Sequence, residues 1–296
     1  MSPLFKALRP RQWTKNLVVF AGLAFSGQAL NVEVAVVAGL AFALFCAASS
    51  GVYLFNDLLD RERDRMHPVK RLRPIASGAL APQTAALTAA VLAGGALAGS
   101  WLLDLGHAWQ AIGGYLLLQL AYTLQLKHVF LLDVFSIAAG FLLRVLAGVW
   151  AIEAPLSPWL VACTVQLALF LALCKRKAEV TAVGEGSTAQ RPLLADYAGA
   201  GLDVMVSVVA AALLVTYTLY TLLPGALLAL EVPESRAGEP GMIWTIPFVA
   251  YGVLRYLYLV YRQEQGERPE KLLTGDLPLF VSVAGYGAVV AWVVYL

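Results

Sequence analysis

Nine apolar runs, each close to the length that crosses a lipid bilayer, dominate this sequence of 296 residues. A membrane-spanning helix needs about 20 apolar residues. Only 14% of the residues are charged, against roughly a quarter in soluble domains, so the composition favours lipid as the solvent. The sequence predicts an all-α membrane protein with nine transmembrane helices, near residues 17–31, 34–56, 83–103, 108–126, 131–152, 157–174, 203–229, 243–261 and 278–296.

The basic residues fall on alternate loops between these runs. Of the 21 Lys and Arg, 18 lie on one set of loops, while the opposite set holds only Arg236. Loops rich in Lys and Arg stay in the cytoplasm. We expect a multi-pass protein of the bacterial inner (plasma) membrane, with a cytoplasmic N-terminus and a periplasmic, or otherwise extracytoplasmic, C-terminus. Residues 1–296 form a single integral membrane domain in this interpretation, and cytoplasmic loops 57–82 and 175–202 cap an active site on that side.

Four polar residues with a fixed spacing, Asn56, Asp57, Asp60 and Asp64, close the second apolar run. On a helix that turns ~100° per residue, the three aspartates share about a quarter-turn arc. Clustered carboxylates repel one another unless a cation lies among them, and their hard oxygen atoms suit Mg²⁺. We predict a metal site held by Asp57, Asp60 and Asp64, with Asn56 assisting and Mn²⁺ as a second candidate ion. The alternative is a solvated acidic helix end beside basic neighbours.

The loop after this motif is basic and carries Lys70, Arg71 and Arg73. A metal-bound diphosphate needs Lys or Arg for the phosphate charge that the metal leaves uncompensated. A cytoplasmic location alone also explains a basic loop. These cations are evidence for a phosphate site mainly because they lie beside the aspartates. Their juxtaposition indicates a metal–diphosphate site at the cytoplasmic end of the second span.

Residues Asn56 to Asp64, followed by Lys70-Arg71-x-Arg73-Pro74, resemble the UbiA superfamily of intramembrane prenyltransferases. The nine-span pattern extends this resemblance over the whole chain. It implies a UbiA-like helical bundle in which the motif binds Mg²⁺ and a diphosphate. We accordingly assign Asn56, Asp57 and Asp60 as catalytic residues.

Other segments resemble one branch of that superfamily, the decaprenyl-phosphate phosphoribosyltransferases; these are residues 9–16, 70–78, 122–128, 132–148 and 175–179. Members of the branch use phosphoribosyl pyrophosphate (PRPP) as donor and a polyprenyl phosphate as acceptor. Aromatic prenyltransferases carry a second aspartate-rich motif after the sixth span, and this chain has no tight Asp-x-x-x-Asp there. The resemblance implies substrate-binding roles for Asn16, Lys70, Arg71, Arg73, Tyr122, Lys127, Arg144, Lys175, Arg176 and Glu179.

The fifth span has a polar face formed by Asp133, Ser136, Gly140, Arg144 and Gly148. A charge inside a span is costly and usually faces the bundle interior or an aqueous cavity. Small residues on the same face let a neighbour or a ligand approach. We expect Arg144 to line a polar cavity, and the alternative is a structural hydrogen bond to helix carbonyl groups.

Together these features favour an enzyme, a Mg²⁺-dependent glycosyl-type transferase. The lipid phosphate attacks C1 of the ribose while pyrophosphate leaves, and an acceptor that is already anionic needs no general base. The expected partners are PRPP, a polyprenyl (decaprenyl) phosphate and membrane lipids, without nucleic acid; a homo-oligomer is left open. The alternatives are an aromatic prenyltransferase with a polyprenyl diphosphate donor and, from another class, a membrane transporter, although no inverted repeat is evident.

Overall fold

The computed structural model describes residues 2–183, 193–223, 241–263, 272–273 and 275–296. Within these ranges the chain is helical and contains no strand, which confirms the predicted all-α class. Seven of the described helices are long and apolar enough to cross a membrane. The α-helices are α1 (Pro3–Ala7), α2 (Ala21–Phe25), α3 (Val32–Leu59), α4 (Arg61–Met66), α5 (Pro82–Leu102), α6 (Ala108–Leu124), α7 (Leu132–Ala151), α8 (Pro158–Val183), α9 (Leu193–Asp196), α10 (Ala200–Leu222), α11 (Ile246–Arg262) and α12 (Leu277–Tyr295).

The first predicted span, residues 17–31, is not one continuous helix. A 3-10 helix covers Pro10–Phe20, α2 follows it, and the chain then turns through Gly27, whose φ is 74°. Proline fits the first position of a helix, where no N–H partner is required. Glycine adopts a positive φ without a β-carbon clash, so it ends the helical path before α3 begins.

Two further predicted boundaries differ. Helix α6 has 17 residues and is shorter than the spans around it. Helix α8 continues to Val183, well past the predicted end at residue 174, because residues 175–183 contain no Gly or Pro and several good helix formers. The first part of the predicted loop 175–202 is therefore helical, and its residues 184–192 lie outside the described residues. The cap over the active site stays a prediction.

The chain forms two compact units, and the first consists of residues 1–24, 28–125 and 143–154. Its core includes Phe45, Ile112 and Tyr115. Helices in lipid associate mainly by close van der Waals packing, because the hydrocarbon around them is as apolar as their own side chains. The packing is tightest at Gly148, where an added β-carbon would lie 1.8 Å from the carbonyl oxygen of Val19. Gly148 on the small-residue face of α7 thus accommodates the N-terminal 3-10 helix.

The second unit consists of residues 25–27, 126–142 and 155–296. Its core includes Phe170 of α8, Leu202 of α10 and Leu259 of α11. Arg255 of α11 donates two hydrogen bonds, of 3.1 and 2.7 Å, to the carboxylate of Asp276, which also caps the start of α12. The hydrogen bond from Arg255 lowers the pKa of Asp276, so this carboxylate is charged at neutral pH and holds α11 and α12 together.

Candidate active site

The acidic motif continues from α3 into α4 with almost no break in the helix. Asp57 belongs to α3, Asp60 lies at the junction, and Asp64 belongs to α4. The backbone N–H of Asp64 donates to the carbonyl oxygen of Asp60 at 2.8 Å, which keeps the two helices in helical register. Asp57 and Asp64 are almost fully buried, with 3% and 1% of each residue exposed. Two of the predicted metal ligands therefore face the interior of the first unit.

Arg73 joins these two buried carboxylates. Its Nη1 lies 3.0 Å from Oδ1 of Asp57 and 2.5 Å from Oδ2 of Asp64. The basic loop therefore folds back onto the acidic motif, as the sequence predicted from their juxtaposition. Lys70 and Arg71 lie on the short 3-10 helix Lys70–Leu72 that leads into Arg73. A guanidinium group thus supplies the positive charge that clustered carboxylates require.

A second arginine, Arg9, also contacts the motif and was missed by the sequence-based site prediction. Its Nη2 lies 2.5 Å from Oδ1 of Asp57, and its guanidinium group lies over the ring of Tyr53. Its backbone is left-handed, with φ 55° and ψ 57°, a conformation that costs a non-glycine residue about 1–3 kcal/mol. Two sequence signals point to it: Arg9 opens the family-like segment 9–16, and a residue before proline, here Pro10, avoids the right-handed helical region. Arg9, Asp57, Asp64 and Arg73 are called the Asp57 cluster below.

The Asp57 cluster fits a divalent cation that arrives with phosphate oxygens. Mg²⁺ in phosphoryl-binding enzymes is typically held by one or two carboxylates, together with water and substrate phosphates. Asp57 and Asp64 provide two such carboxylates, and each uses only one oxygen in its ion pairs with arginine. Within the described ranges, no three His, Cys, Asp or Glu side chains are grouped as a complete metal site. The role of Asp60, the third predicted ligand, stays a prediction.

Arg144 and Asn16 lie together in a buried network of the first unit. Arg144 Nε donates to Oδ1 of Asn16 at 2.8 Å, and its Nη2 donates to the hydroxyl of Tyr115 at 3.2 Å. The guanidinium group also lies over the rings of Phe45 and Tyr115. Asn16 in turn donates to Ser49 at 3.0 Å. These contacts of Arg144 are to side chains, and both its substrate role and the alternative of a structural hydrogen bond to helix carbonyl groups stay predictions.

The second unit contains another charged group, the Asp133 cluster, formed by Asp133, Lys175, Arg176, Glu179 and Tyr197. Arg176 Nε lies 3.2 Å from Oδ2 of Asp133, and its Nη1 donates to Glu179. Lys175 Nζ lies 3.8 Å from Glu179 Oε1. The predicted residues Lys175, Arg176 and Glu179 are therefore neighbours on α8, where they neutralise one another and Asp133. Their substrate roles stay predictions.

Tyr197 anchors this cluster and has no counterpart among the residues predicted from the sequence. Its hydroxyl donates to Oδ1 of Asp133 at 2.5 Å and accepts the backbone N–H of Leu131 at 3.2 Å. Burial, reinforced by the hydrogen bond to Asp133, raises the pKa of Tyr197. The phenol therefore remains protonated at neutral pH and can continue to donate its hydrogen bond.

The two remaining predicted substrate residues lie near the end of α6. Tyr122 is half-buried one position before the buried Thr123, and Lys127 is half-buried on the 3-10 helix Leu126–His128. Thr123 donates a hydrogen bond of 2.6 Å to the side-chain oxygen of Asn56. Helix α6 therefore contacts the acidic motif through Thr123, and the roles of Tyr122 and Lys127 stay predictions.

Comparison with known proteins gives a consistent result along the chain. The model of the UbiA prenyltransferase family matches residues 16–283. The chain is 36% identical over 280 residues to a decaprenyl-phosphate phosphoribosyltransferase of Mycolicibacterium smegmatis, spanning 93% of this chain and 87% of that protein. It is also 36% identical over 296 residues to the enzyme of the same name from Mycobacterium tuberculosis, spanning 97% and 94%.

The fold is also similar to a solved structure. A UbiA homologue from Archaeoglobus fulgidus, bound to GPP and Mg²⁺, superposes with a TM-score of 0.69 over 99% of both chains. The two sequences are 19% identical, so this likeness establishes a common fold and nothing finer.

Proposed function

This chain belongs to the UbiA prenyltransferase family, and we propose that it transfers a 5-phosphoribosyl group from PRPP to a polyprenyl phosphate such as decaprenyl phosphate. The observation that carries the proposal is the Asp57 cluster, in which two buried carboxylates meet two arginines that remain within reach of water. This combination suits a metal-bound diphosphate. The similarity to decaprenyl-phosphate phosphoribosyltransferases, which extends over nearly the whole chain, favours PRPP as the source of that diphosphate.

The proposal includes a membrane topology. Helix α6 and the N-terminal helical segment join the seven long apolar helices to give nine spans, with a cytoplasmic N-terminus and an extracytoplasmic C-terminus. The basic residues support this orientation, since Arg9, Arg73 and Lys70 belong to the loops that the positive-inside rule assigns to the cytoplasm. In this topology the Asp57 cluster lies on the cytoplasmic side of a bacterial plasma membrane, where soluble PRPP can reach it.

In the proposed mechanism, Asp57 and Asp64 would hold a divalent cation, Mg²⁺ or Mn²⁺, and Asp60 would assist them. A bound cation of this kind stabilises the negative charge of a departing diphosphate. Arg9 and Arg73 exchange their carboxylate partners for phosphate oxygens, and Lys70 and Arg71 supply further positive charge.

The reaction exchanges one bond at C1 of the ribose for another. The bond from C1 to the diphosphate oxygen breaks, and pyrophosphate leaves with its electron pair. An oxygen of the lipid phosphate forms the new bond to C1, most simply from the opposite face. Because the lipid phosphate is already anionic at neutral pH, no side chain has to remove a proton from it.

An aromatic prenyltransferase is the second candidate, because the family carries that name and the solved homologue is bound to GPP and Mg²⁺. Such an enzyme would use the same carboxylates but take its diphosphate from an isoprenoid. The chain has no tight Asp-x-x-x-Asp after α8 in its sequence, which favours the phosphoribosyl donor.

Two labelled donors separate these candidates. We expect purified protein in lipid vesicles to transfer label from PRPP to decaprenyl phosphate, and EDTA to abolish that transfer. Asp57→Asn should remove the activity, whereas Glu62→Gln, at an exposed acid on α4, serves as the matched control. Transfer of label from a prenyl diphosphate to an aromatic acid, with none from PRPP to the lipid, would overturn the proposal.

A further inference from the structure

The first residue of the acidic motif has a different kind of partner from the aspartates that follow it. Asp57 and Asp64 contact arginines, whereas Oδ1 of Asn56 accepts a hydrogen bond of 2.6 Å from the hydroxyl of Thr123. Thr123 lies on α6 and only 6% of it is exposed. A neutral, buried hydroxyl from another helix therefore holds one side of the Asn56 amide.

The hydroxyl of Thr123 has one proton but two acceptors within reach. One is Oδ1 of Asn56, and the other is the carbonyl oxygen of Gln119, one turn earlier on α6, at 2.8 Å. The Gln119 carbonyl already accepts the backbone N–H of residue 123 in the regular helical pattern. The carbonyl therefore already has a donor, whereas the half-buried Asn56 oxygen gains one from Thr123, so the proton is best used on Asn56. The orientation of the amide follows, because an amide that accepts through its oxygen presents its NH₂ group on the other side.

We propose that Thr123 is a positioning residue, which turns the Asn56 amide so that its NH₂ group donates to a diphosphate oxygen of the donor substrate. This inference rests on the proposed function only in requiring that a diphosphate enters the Asp57 cluster. Phosphate oxygens and the aspartates can only accept hydrogen bonds, so the site needs donors. Asn56 provides one at the position next to Asp57, and in this assignment its oxygen does not assist the metal, as the sequence interpretation expected.

The variant Asn56→Asp distinguishes a donor from a metal ligand, because it replaces the NH₂ group with an oxygen of nearly the same size. A residue that binds the metal through oxygen should tolerate this change or bind the metal more tightly. If Asn56 instead donates to phosphate, the carboxylate of the variant should repel the phosphate. We expect the Kd for the diphosphate substrate to rise at least about tenfold, as for loss of a hydrogen bond to a charged group, while the Mg²⁺ concentration at half-maximal donor binding stays within about threefold.

Thr123→Val tests the positioning role without touching the motif. Valine has the shape of threonine but cannot donate, so the amide loses its fixed orientation, and we expect the donor Kd to rise about three- to tenfold. Thr123→Ser restores the hydroxyl and should restore most of the affinity. Thr88→Val is the matched control, because Thr88 also donates to the carbonyl one turn earlier, that of Thr84 at 2.8 Å, on another helix of the same unit.

Isothermal titration of the full-length protein in detergent with Mg²⁺ present, using PRPP and separately geranyl diphosphate, measures these effects. If the wild type binds geranyl diphosphate and not PRPP, the proposed donor is wrong, yet the order of the variants on geranyl diphosphate still tests the role of Thr123. Wild-type affinity in Asn56→Asp, or equal affinities in Thr123→Val and Thr88→Val, would overturn the inference. A thermal melt of each variant identifies any loss of affinity that comes from unfolding.

Discussion

The Asp57 cluster and the Asp133 cluster both pair buried aspartates with arginines, but they differ in how far those arginines are exposed to water. Both bury their aspartates almost completely. The arginine side chains that contact Asp57 remain about a third exposed, at 30% for Arg9 and 28% for Arg73. The arginine that contacts Asp133, Arg176, is 8% exposed, and the exposed Lys175 of that cluster contacts Glu179 instead. A cation that reaches water can leave its carboxylate and be solvated elsewhere at small cost, but a buried cation that loses its partner is strongly destabilising. We therefore expect the first arrangement to exchange its arginines for a ligand that brings its own cation, and the second to hold the helices of its unit in place.

The sharpest test of this contrast removes one aspartate from the exchangeable cluster. We expect Asp57→Asn to lower phosphoribosyl transfer at least about a hundredfold, since two arginines contact this carboxylate and the proposed metal site requires it. The thermal midpoint should fall only slightly, because both arginines can be solvated. Initial rates with labelled PRPP and a thermal melt in detergent measure the two effects. A large loss of stability would show that the Asp57 cluster, like the Asp133 cluster, has a structural role.

The corresponding change in the second unit should act on stability. We expect Asp133→Asn to reduce the free energy of unfolding by about 3 kcal/mol, because Arg176 then keeps a buried charge with weaker compensation. Asp203→Asn is the matched control, since Asp203 also pairs with a cation, Lys177 at 2.7 Å, but its side chain is 42% exposed. Equal thermal midpoints for the two variants would contradict the structural role of the Asp133 cluster.

Arg9→Gln tests the arginine that the motif spacing does not reveal. We expect the donor Kd to rise about tenfold, since a charged hydrogen bond to phosphate is lost, with little change in the thermal midpoint. Arg11→Gln is the control, because Arg11 is exposed on the neighbouring 3-10 helix. Arg9→Gly also removes the side chain but relieves the left-handed backbone, so it should bind donor as weakly as Arg9→Gln and melt at a higher temperature. Unchanged donor binding in both Arg9 variants would remove Arg9 from the site.

The smallest expected effect concerns the tyrosine of the buried cluster. Tyr197→Phe leaves the N–H of Leu131 and an oxygen of Asp133 without this hydroxyl, so we expect a loss of about 1–2 kcal/mol of stability. Tyr261→Phe removes a similar hydrogen bond to Asp203 at an exposed position and should cost about 0.5 kcal/mol or less. Denaturation in detergent compares the two, and the reverse order would show that burial does not govern the strength of these contacts.

Local patterns in the sequence predicted the acidic motif, its basic neighbour Arg73 and the small-residue face of α7. All three depend on spacing within one helix or on loops near in sequence. Arg9, Thr123 and Tyr197 were missed because each finds its partner far away along the chain, at separations of 48, 67 and 64 residues. No periodicity carries such information, since the pairing depends on how helices pack.

The predicted helix positions failed for local reasons. Hydropathy extended the first span through Gly27, although a left-handed glycine ends a helix whatever the polarity of its neighbours. The hydropathy pattern ends the sixth span at residue 174, where the charged residues begin, yet Lys, Arg and Glu are good helix formers and α8 continues. Polarity locates the boundary of the hydrocarbon, and the helix can continue beyond that boundary.

The tight contact between Val19 and Gly148 has a consequence for biogenesis. Close by, Arg144 donates to Asn16 across 128 residues of sequence. A ribosome that adds about 5–20 residues per second needs roughly 6–25 s to make that stretch. During this interval the N-terminal segment has emerged but its docking surface on α7 has not been synthesised. The amino terminus therefore reaches its final position late, after most of the first unit has entered the membrane, and slow translation before α7 should prolong the period in which this segment is open to misassembly.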